Sequence, residues 1–167
     1  MTGDHPFWAF SVRVYQAGGL QRCLLRAQDE CGADINFILL ALFAGQERLE
    51  LDQRKILHVW DQSQTLRELG IYSVRELRLR WQAIAELGDQ RDELLSLELK
   101  LERQLQDLLY AAFFDPESER LVVPHIDHEA AQYPLSCLDL LPFTASAEWP
   151  SHARAIELEF GRSAGKE

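Results

Sequence analysis

Apolar positions in the first 114 residues recur at helical spacing and predict a series of helices. From Leu20 the apolar residues step by three and four as far as Cys31, which gives one face of an amphipathic helix. Gly32 is expected to end that helix, and residues 35–44 then form a helix with almost no polar face. No strand-like alternation competes before residue 115. The pattern therefore predicts an all-α core with the 35–44 helix buried at its centre.

Residues 52–114 predict further helices and the breaks between them. One or two helices fit into 52–70, where Gly70 is expected to act as a stop. The sequence "SVRE" at 73–76 matches a capping box, so a helix is expected to start there and to run to Leu87. Gly88 then either turns the chain into an antiparallel hairpin or kinks one helix that continues to about Phe114.

The character of the chain changes after residue 115, because five of the six prolines lie there, at 116, 124, 134, 142 and 150. Proline disrupts helix interiors, yet "CLDLLPF" and "AIELEF" are too apolar to remain solvated. We therefore predict an all-α, single-domain helical bundle of about five to seven helices with an irregular, proline-punctuated C-terminal tail. The bundle is assigned to residues 1–114, and the extension, 115–167, is expected to pack on the bundle or on a partner.

Charge and cysteine content narrow the possible partners and the compartment. The formal net charge is −10, and residues 83–167 account for all of it with seventeen acids and seven bases. An acidic half repels phosphate backbones, so no nucleic acid is expected as a partner. No apolar run reaches the roughly 20 residues that span a bilayer, and no signal peptide is recognisable, so no membrane insertion is expected. Three cysteines without CxxC spacing favour a reducing cytoplasm.

Three charged side chains fall on or beside the apolar faces of two predicted helices. On a wheel of the last helix, Glu98 lies about 40° and Glu102 about 80° from the centre of the leucine stripe. Arg78 lies about 40° from Val74 on a wheel of the preceding helix, and so falls on the apolar face of that helix. If Gly88 turns the chain, Arg78 and Glu98 lie at one level, which predicts an inward-facing ion pair. Glu102 is then expected to bond to Arg75 or to another helix.

These charges have a structural interpretation and a functional one. The structural interpretation is an ion pair that fixes the register of two helices, since buried charges are kept mainly when they are partnered. The functional one is a carboxylate pair that lines a cavity. A helical di-iron site would need Glu-x-x-His spacing, which none of the glutamates at 50, 98 and 102 has. The cluster "HIDHE" at 125–129 is a weak metal candidate, and we predict no metal and no cofactor.

Polar residues directly in front of the buried helix are the second candidate site. Asp34 is suited to cap the helix and Asn36 to satisfy first-turn backbone groups, while Asp29 pairs with a nearby arginine or with a tyrosine hydroxyl. The functional alternative is a small polar pocket, because a buried amide such as that of Asn36 needs partners. That candidate pocket comprises Trp8, Ser11, Tyr15, Asp29, Asp34 and Asn36.

Two stretches carry a distinctive pattern: "FWAFSVRVY" at 7–15 and "CLLRAQDECGADINFILLALF" at 23–43, with its Gln-Asp, Gly-x-Asp and Asn positions. The pattern continues in "RELRLR" at 75–80 and "LELKLERQLQDLL" at 97–109. Together these stretches resemble an uncharacterised bacterial family of small helical proteins. The resemblance implies a single helical domain and a bacterial origin. It implies no activity and no catalytic residues, because the family has no established function.

The sequence leaves enzymatic activity open and favours a non-enzymatic protein. We expect a protein–protein interaction module or adaptor that binds another protein, or a second copy of itself, through the long helix and the tail. The acidic second half and the apolar tail segments motivate this expectation, and no recognisable catalytic set opposes it. The alternative is a small-ligand-binding protein or enzyme with a polar pocket around Asp34 and Asn36. Catalytic residues are therefore unknown.

Overall fold

The computed structural model describes residues 5–114 and 137–164. Its α-helices are α1 (Pro6–Tyr15), α2 (Gly18–Cys31), α3 (Ile35–Gln46), α4 (Gln53–Gln62), α5 (Ser73–Arg80), α6 (Gly88–Phe114) and α7 (Trp149–Ala164). A π-helical segment, Leu66–Tyr72, leads directly into α5. The described residues contain no strand, so the expected all-α fold is confirmed.

Helix α3 forms the centre of the bundle because it has no polar face to leave in water. Every residue from 35 to 45 is buried. Gly32 lies just before it with φ +64°, the left-handed conformation that ends α2 and allows the chain to turn into α3. Around α3 pack apolar side chains from the surrounding helices, among them Phe7, Leu24, Ile56, Leu105 and Leu109.

The structure between α4 and α5 differs from the helix boundaries that the sequence predicts. Gly70 does not stop the helix, because the π-helical segment runs through it to Tyr72. The capping box at Ser73 does not form either: Ser73 Oγ donates to the carbonyl of Glu68 at 2.8 Å. The extra residue in each π turn leaves carbonyls without an ordinary partner, and the serine hydroxyl satisfies one of them. Helix α5 is therefore a continuation of the segment before it.

Helices α5 and α6 form an antiparallel hairpin, which decides between the two arrangements expected around Gly88. Arg75 contacts Glu98 and Glu102, whereas the later residue Arg78 contacts Glu98, so the two helices run in opposite directions. Helix α5 ends at Arg80 rather than at residue 87, and two short 3-10 turns, Trp81–Ala83 and Ala85–Leu87, complete the connection.

The described part of the C-terminal extension packs on the bundle. Helix α7 lies along α2. Pro150 stands in its first turn, where a missing backbone N–H costs no intrahelical hydrogen bond. Trp149 and Ile156 of α7 join the core. Among the described residues, no helix combines the length and the apolar character that crossing a membrane would require.

Candidate functional site

Asp34 uses both carboxylate oxygens inside the protein. Its Oδ1 accepts a hydrogen bond from the backbone N–H of Asn36 at 2.9 Å and so caps α3. Its Oδ2 accepts one from the hydroxyl of Tyr72 at 2.6 Å. Asp34 is only 1% exposed. One side chain therefore starts the central helix and also ties the π-helical segment to it.

Arg67 is the most deeply buried basic residue of this region, at 2% exposure. Its Nε donates to Ser63 Oγ at 3.1 Å and its Nη2 to the carbonyl of Trp60 at 2.8 Å. The guanidinium carbon lies 3.3 Å from the centroid of the Trp60 ring. Its Nη1 donates to the Tyr72 hydroxyl at 3.4 Å, so an arginine and an aspartate meet through that one oxygen. Burial, followed by the charge of Asp34, raises the pKa of Tyr72, which therefore remains a donor.

Asn36 is paired with a second buried amide. Gln106 Nε2 on α6 donates to Asn36 Oδ1 at 2.8 Å, and both side chains are buried. This bond fixes the register of α3 against α6. The other amide oxygen, Gln106 Oε1, and the hydroxyl of Ser11 are buried with no hydrogen-bond partner among the described residues.

The structure distributes the six pocket candidates over several surroundings. Among them, a hydrogen bond joins Asp34 to Asn36. Trp8 instead stacks under the guanidinium of Arg103, 4.6 Å from its ring centroid, and Asp29 is exposed. Both carboxylate oxygens of Asp34 and the amide oxygen of Asn36 accept hydrogen bonds from Tyr72, Gln106 and the backbone. A surface groove lies elsewhere, between α1 and the end of α3, and none of the six residues lines it.

The charges predicted to intrude on apolar faces form one cluster between α5 and α6. Glu98 is buried and accepts hydrogen bonds from Arg75 Nε at 2.7 Å and from Arg78 Nε at 2.6 Å. Arg75 Nη2 donates to Glu102 at 2.5 Å. Arg78 and Glu98 therefore meet as the helical wheel indicated, and Glu102 bonds to Arg75 rather than to another helix. We call Arg75, Arg78, Glu98 and Glu102 the hairpin ion cluster.

Burial is the main reason that the pKa of Glu102 is raised. The negative charges of Glu98 and Asp34 also raise this pKa, whereas the positive charge of Arg75 lowers it. The folded chain thus holds this proton more tightly than the unfolded chain does. The corresponding stabilisation is present below the ordinary value of 4.5 and is lost as the pH rises through the raised folded pKa.

Replacing Glu102 by glutamine should therefore change the pH dependence of stability. We expect E102Q to gain stability relative to the wild type as the pH increases from 4.5, because glutamine has no charge to desolvate. Urea denaturation at several pH values measures this difference. The control is E76Q, which removes the carboxylate of an exposed pair with Arg80 that water screens. An E102Q difference that stays constant with pH would contradict the raised pKa.

Arg67, Tyr72 and Gln106 were missed by sequence reasoning. Arg67 and Tyr72 are five residues apart, the hydrogen-bond spacing of a π-helix, whereas a 3.6-residue period assigns them to different faces. Gln106 could have been predicted to be buried. It lies between Leu105 and Leu109 on α6, and a polar residue beside a buried apolar stripe indicates a buried polar contact.

Side chains of the types that bind metals come together away from the pocket candidates and the hairpin ion cluster. Cys31, Glu148 and His152 approach one another where α2 ends and α7 begins. The sequence cluster "HIDHE" at 125–129 lies outside the described residues.

Comparison with known proteins identifies one family. A family model described as "Protein of unknown function (DUF2390)" matches residues 6–109, more than half of the chain. No curated protein and no solved structure matches the chain. The matched region extends from the start of α1 to Leu109 in α6 and includes Asp34, Arg67 and Tyr72 as well as the hairpin ion cluster.

Proposed function

We propose that this chain, which belongs to the DUF2390 family of unknown function, is a non-enzymatic protein–protein interaction module. Its docking element is the projecting hairpin of residues 73–100, and the partner it fits is a second copy of the same hairpin. The observation that supports this proposal is the unusual exposure of leucine along the hairpin.

Apolar side chains on both helices of the hairpin face solvent. Helix α5 has no buried residue at all. The exposed large apolar side chains of the hairpin are Leu77, Leu79, Ile84, Leu95, Leu97 and Leu99. Single exposed leucines are ordinary on protein surfaces, but six large apolar side chains exposed along one hairpin, on more than one of its sides, leave apolar area that a partner could cover.

The hairpin is held in place at its base, so this surface is preorganised. The hairpin ion cluster joins α5 to α6 by charged hydrogen bonds of 2.5 to 2.7 Å. Arg75 is also within electrostatic range of Asp34, at the cap of the central helix. A surface that is already ordered loses less conformational entropy when a partner binds.

The local charge supports a second copy as the partner. Residues 73–100 carry six acids and five bases, although the whole chain has a net charge of −10. Helix α5 has three arginines and one glutamate, whereas residues 88–93 at the start of α6 have three acids and one arginine. The three arginines of α5 are paired within the hairpin, with Glu76, Glu98 and Glu102, so two hairpins related by a two-fold axis meet with little net charge on either side.

A charge in place of one of these leucines should separate the copies. We expect the wild type to dimerise and L97E to weaken dimerisation on the order of tenfold or more, because an interface tolerates an unpaired buried charge poorly. Light scattering over a concentration series measures this effect. The matched control is L158E, an exposed leucine on α7, which should leave dimerisation unchanged. A wild type that stays monomeric would contradict self-association.

Photo-cross-linking separates that result from failure of the interaction function itself. A cross-linking residue at position 97, introduced in cells of the native host, should join the chain to a second protein, and the same residue at 158 should not. A cross-link to a different protein would replace the partner but keep the function. A monomer without any cross-link at 97 would contradict the interaction module.

The alternative function, a small-ligand binder or enzyme at Asp34 and Asn36, gains no comparable support. It requires polar atoms that face a cavity, whereas these two side chains use their acceptors on Tyr72, Gln106 and the backbone.

A further inference from the structure

A thiol, an imidazole and a carboxylate converge where the C-terminal extension meets the bundle. Cys31 is the last residue of α2, Glu148 immediately precedes α7, and His152 lies in the first turn of α7. One potential ligand atom from each lies within 4.8 Å of the others. Two segments that are distant in the sequence thus bring three different metal-ligand types together.

The local backbone orients these groups toward each other. The amide of His152 donates to the carbonyl of Glu148 at 3.4 Å, so the two side chains lie one turn apart on the same face. Paired ligands at this i, i+4 spacing are a common way for one helix to hold a metal.

His152 is also held by a neighbouring carboxylate. His152 is buried, and its Nε2 lies 3.0 Å from Glu30 Oε2. The other oxygen of Glu30 accepts from Arg26 Nε at 3.1 Å. A carboxylate in this position fixes the orientation of a ligating imidazole, as in many metal sites.

We propose that Cys31, Glu148 and His152 bind a zinc ion at the junction of α2 and α7. Thiolate, imidazole and carboxylate are the ligand types of zinc, and three protein ligands leave the fourth tetrahedral position for water. Bond lengths of about 2.0 to 2.3 Å place tetrahedral ligands within roughly 4 Å of one another. The exposed Glu148 side chain can close the remaining gap. When the ion binds, the Cys31 thiol releases its proton to solvent.

This site departs from the expectation of no metal, and it is independent of the hairpin surface. Helix α7 lies beyond residues 6–109, the part that matches the family model. The metal therefore joins the C-terminal extension to the family domain.

Cobalt titration of the full-length chain tests the site, because cobalt bound by a thiolate gives a near-ultraviolet charge-transfer band. We expect one equivalent of Co²⁺ to produce this band and Zn²⁺ to abolish it by displacement. The band should be absent from C31S and retained in C23S, the matched control, whose half-buried cysteine lies on the same helix. The histidines at 125–129 carry no sulfur, so binding there gives no such band.

The remaining ligands are tested by affinity. H152A should weaken binding by more than tenfold, and E30Q by roughly 10- to 100-fold, the usual effect of losing a supporting partner. E148Q, at an exposed position, should weaken binding while leaving the helical circular dichroism unchanged. A wild type without the band would overturn the proposal. A C31S protein that retains the band would also overturn it, as would H152A and E148Q proteins that both bind with wild-type affinity.

Discussion

Replacing Asp34 by alanine is expected to lower the free energy of unfolding by about 3 kcal/mol, one of the two largest effects predicted for this chain. Loss of the cap on α3 contributes about 1 kcal/mol. Loss of the charged hydrogen bond from Tyr72 contributes about 2 kcal/mol, because the tyrosine hydroxyl would keep only its long contact with Arg67. Urea denaturation of the two proteins measures the difference.

Asp52 provides the matched control for this prediction. It caps α4 with the same geometry, since its Oδ1 accepts from the backbone N–H of Arg54 at 2.8 Å, but it is exposed. D52A should therefore cost only about 1 kcal/mol. Equal losses from D34A and D52A would mean that the bond to Tyr72 contributes nothing. In that case Y72F should also leave stability unchanged.

Replacing Glu98 by alanine is expected to lower the free energy of unfolding by about 3 kcal/mol. The mutation removes the acceptor shared by Arg75 and Arg78 and leaves two arginine side chains that are only 19% and 24% exposed. R78L should be destabilising too, but less so, because Arg75 still neutralises Glu98. Thermal or urea denaturation measures both losses.

The exposed pair of Arg80 and Glu76 shows what burial adds. Its N···O distance is 2.5 Å, as short as any contact of the hairpin ion cluster, but the two side chains are 72% and 64% exposed. R80L should change stability by less than about 0.5 kcal/mol, since water screens an exposed pair. If R80L and R78L prove equally destabilising, the hairpin ion cluster has no special role.

Hydrogen exchange can locate the effect of E98A within the fold. Within the hairpin, α5 packs mainly on α6 and on the π-helical segment, whereas α3 is surrounded by the core. Faster exchange should therefore appear in residues 73–100 and not in α3. Uniformly faster exchange would indicate that the hairpin and the core unfold as one unit. The docking surface proposed above would then depend on the whole bundle rather than on its ion cluster.

The ion pair of Arg78 and Glu98 was within reach of sequence reasoning, and the polar network around Arg67 was not. The pair depends on two regular helices and one turn, so wheel angles and level matching are sufficient to suggest it. Arg67 and Tyr72 lie on a π-helical segment, whose extra residue per turn rotates every later side chain away from the position that a 3.6-residue period assigns. Ser73 illustrates the same limit, because its capping-box pattern is overruled by the helix that already precedes it.

The sequence by itself determined the all-helical class, the buried α3 and the capping role of Asp34, because periodicity and capping depend on neighbours within a few residues. Only the tertiary structure decided which side chains meet across the bundle. Gln106 pairs with Asn36, Tyr72 with Asp34, and Cys31 comes to lie beside His152. Such contacts depend on how whole helices pack, and helix packing is set by the fit of many side chains at once rather than by any local pattern.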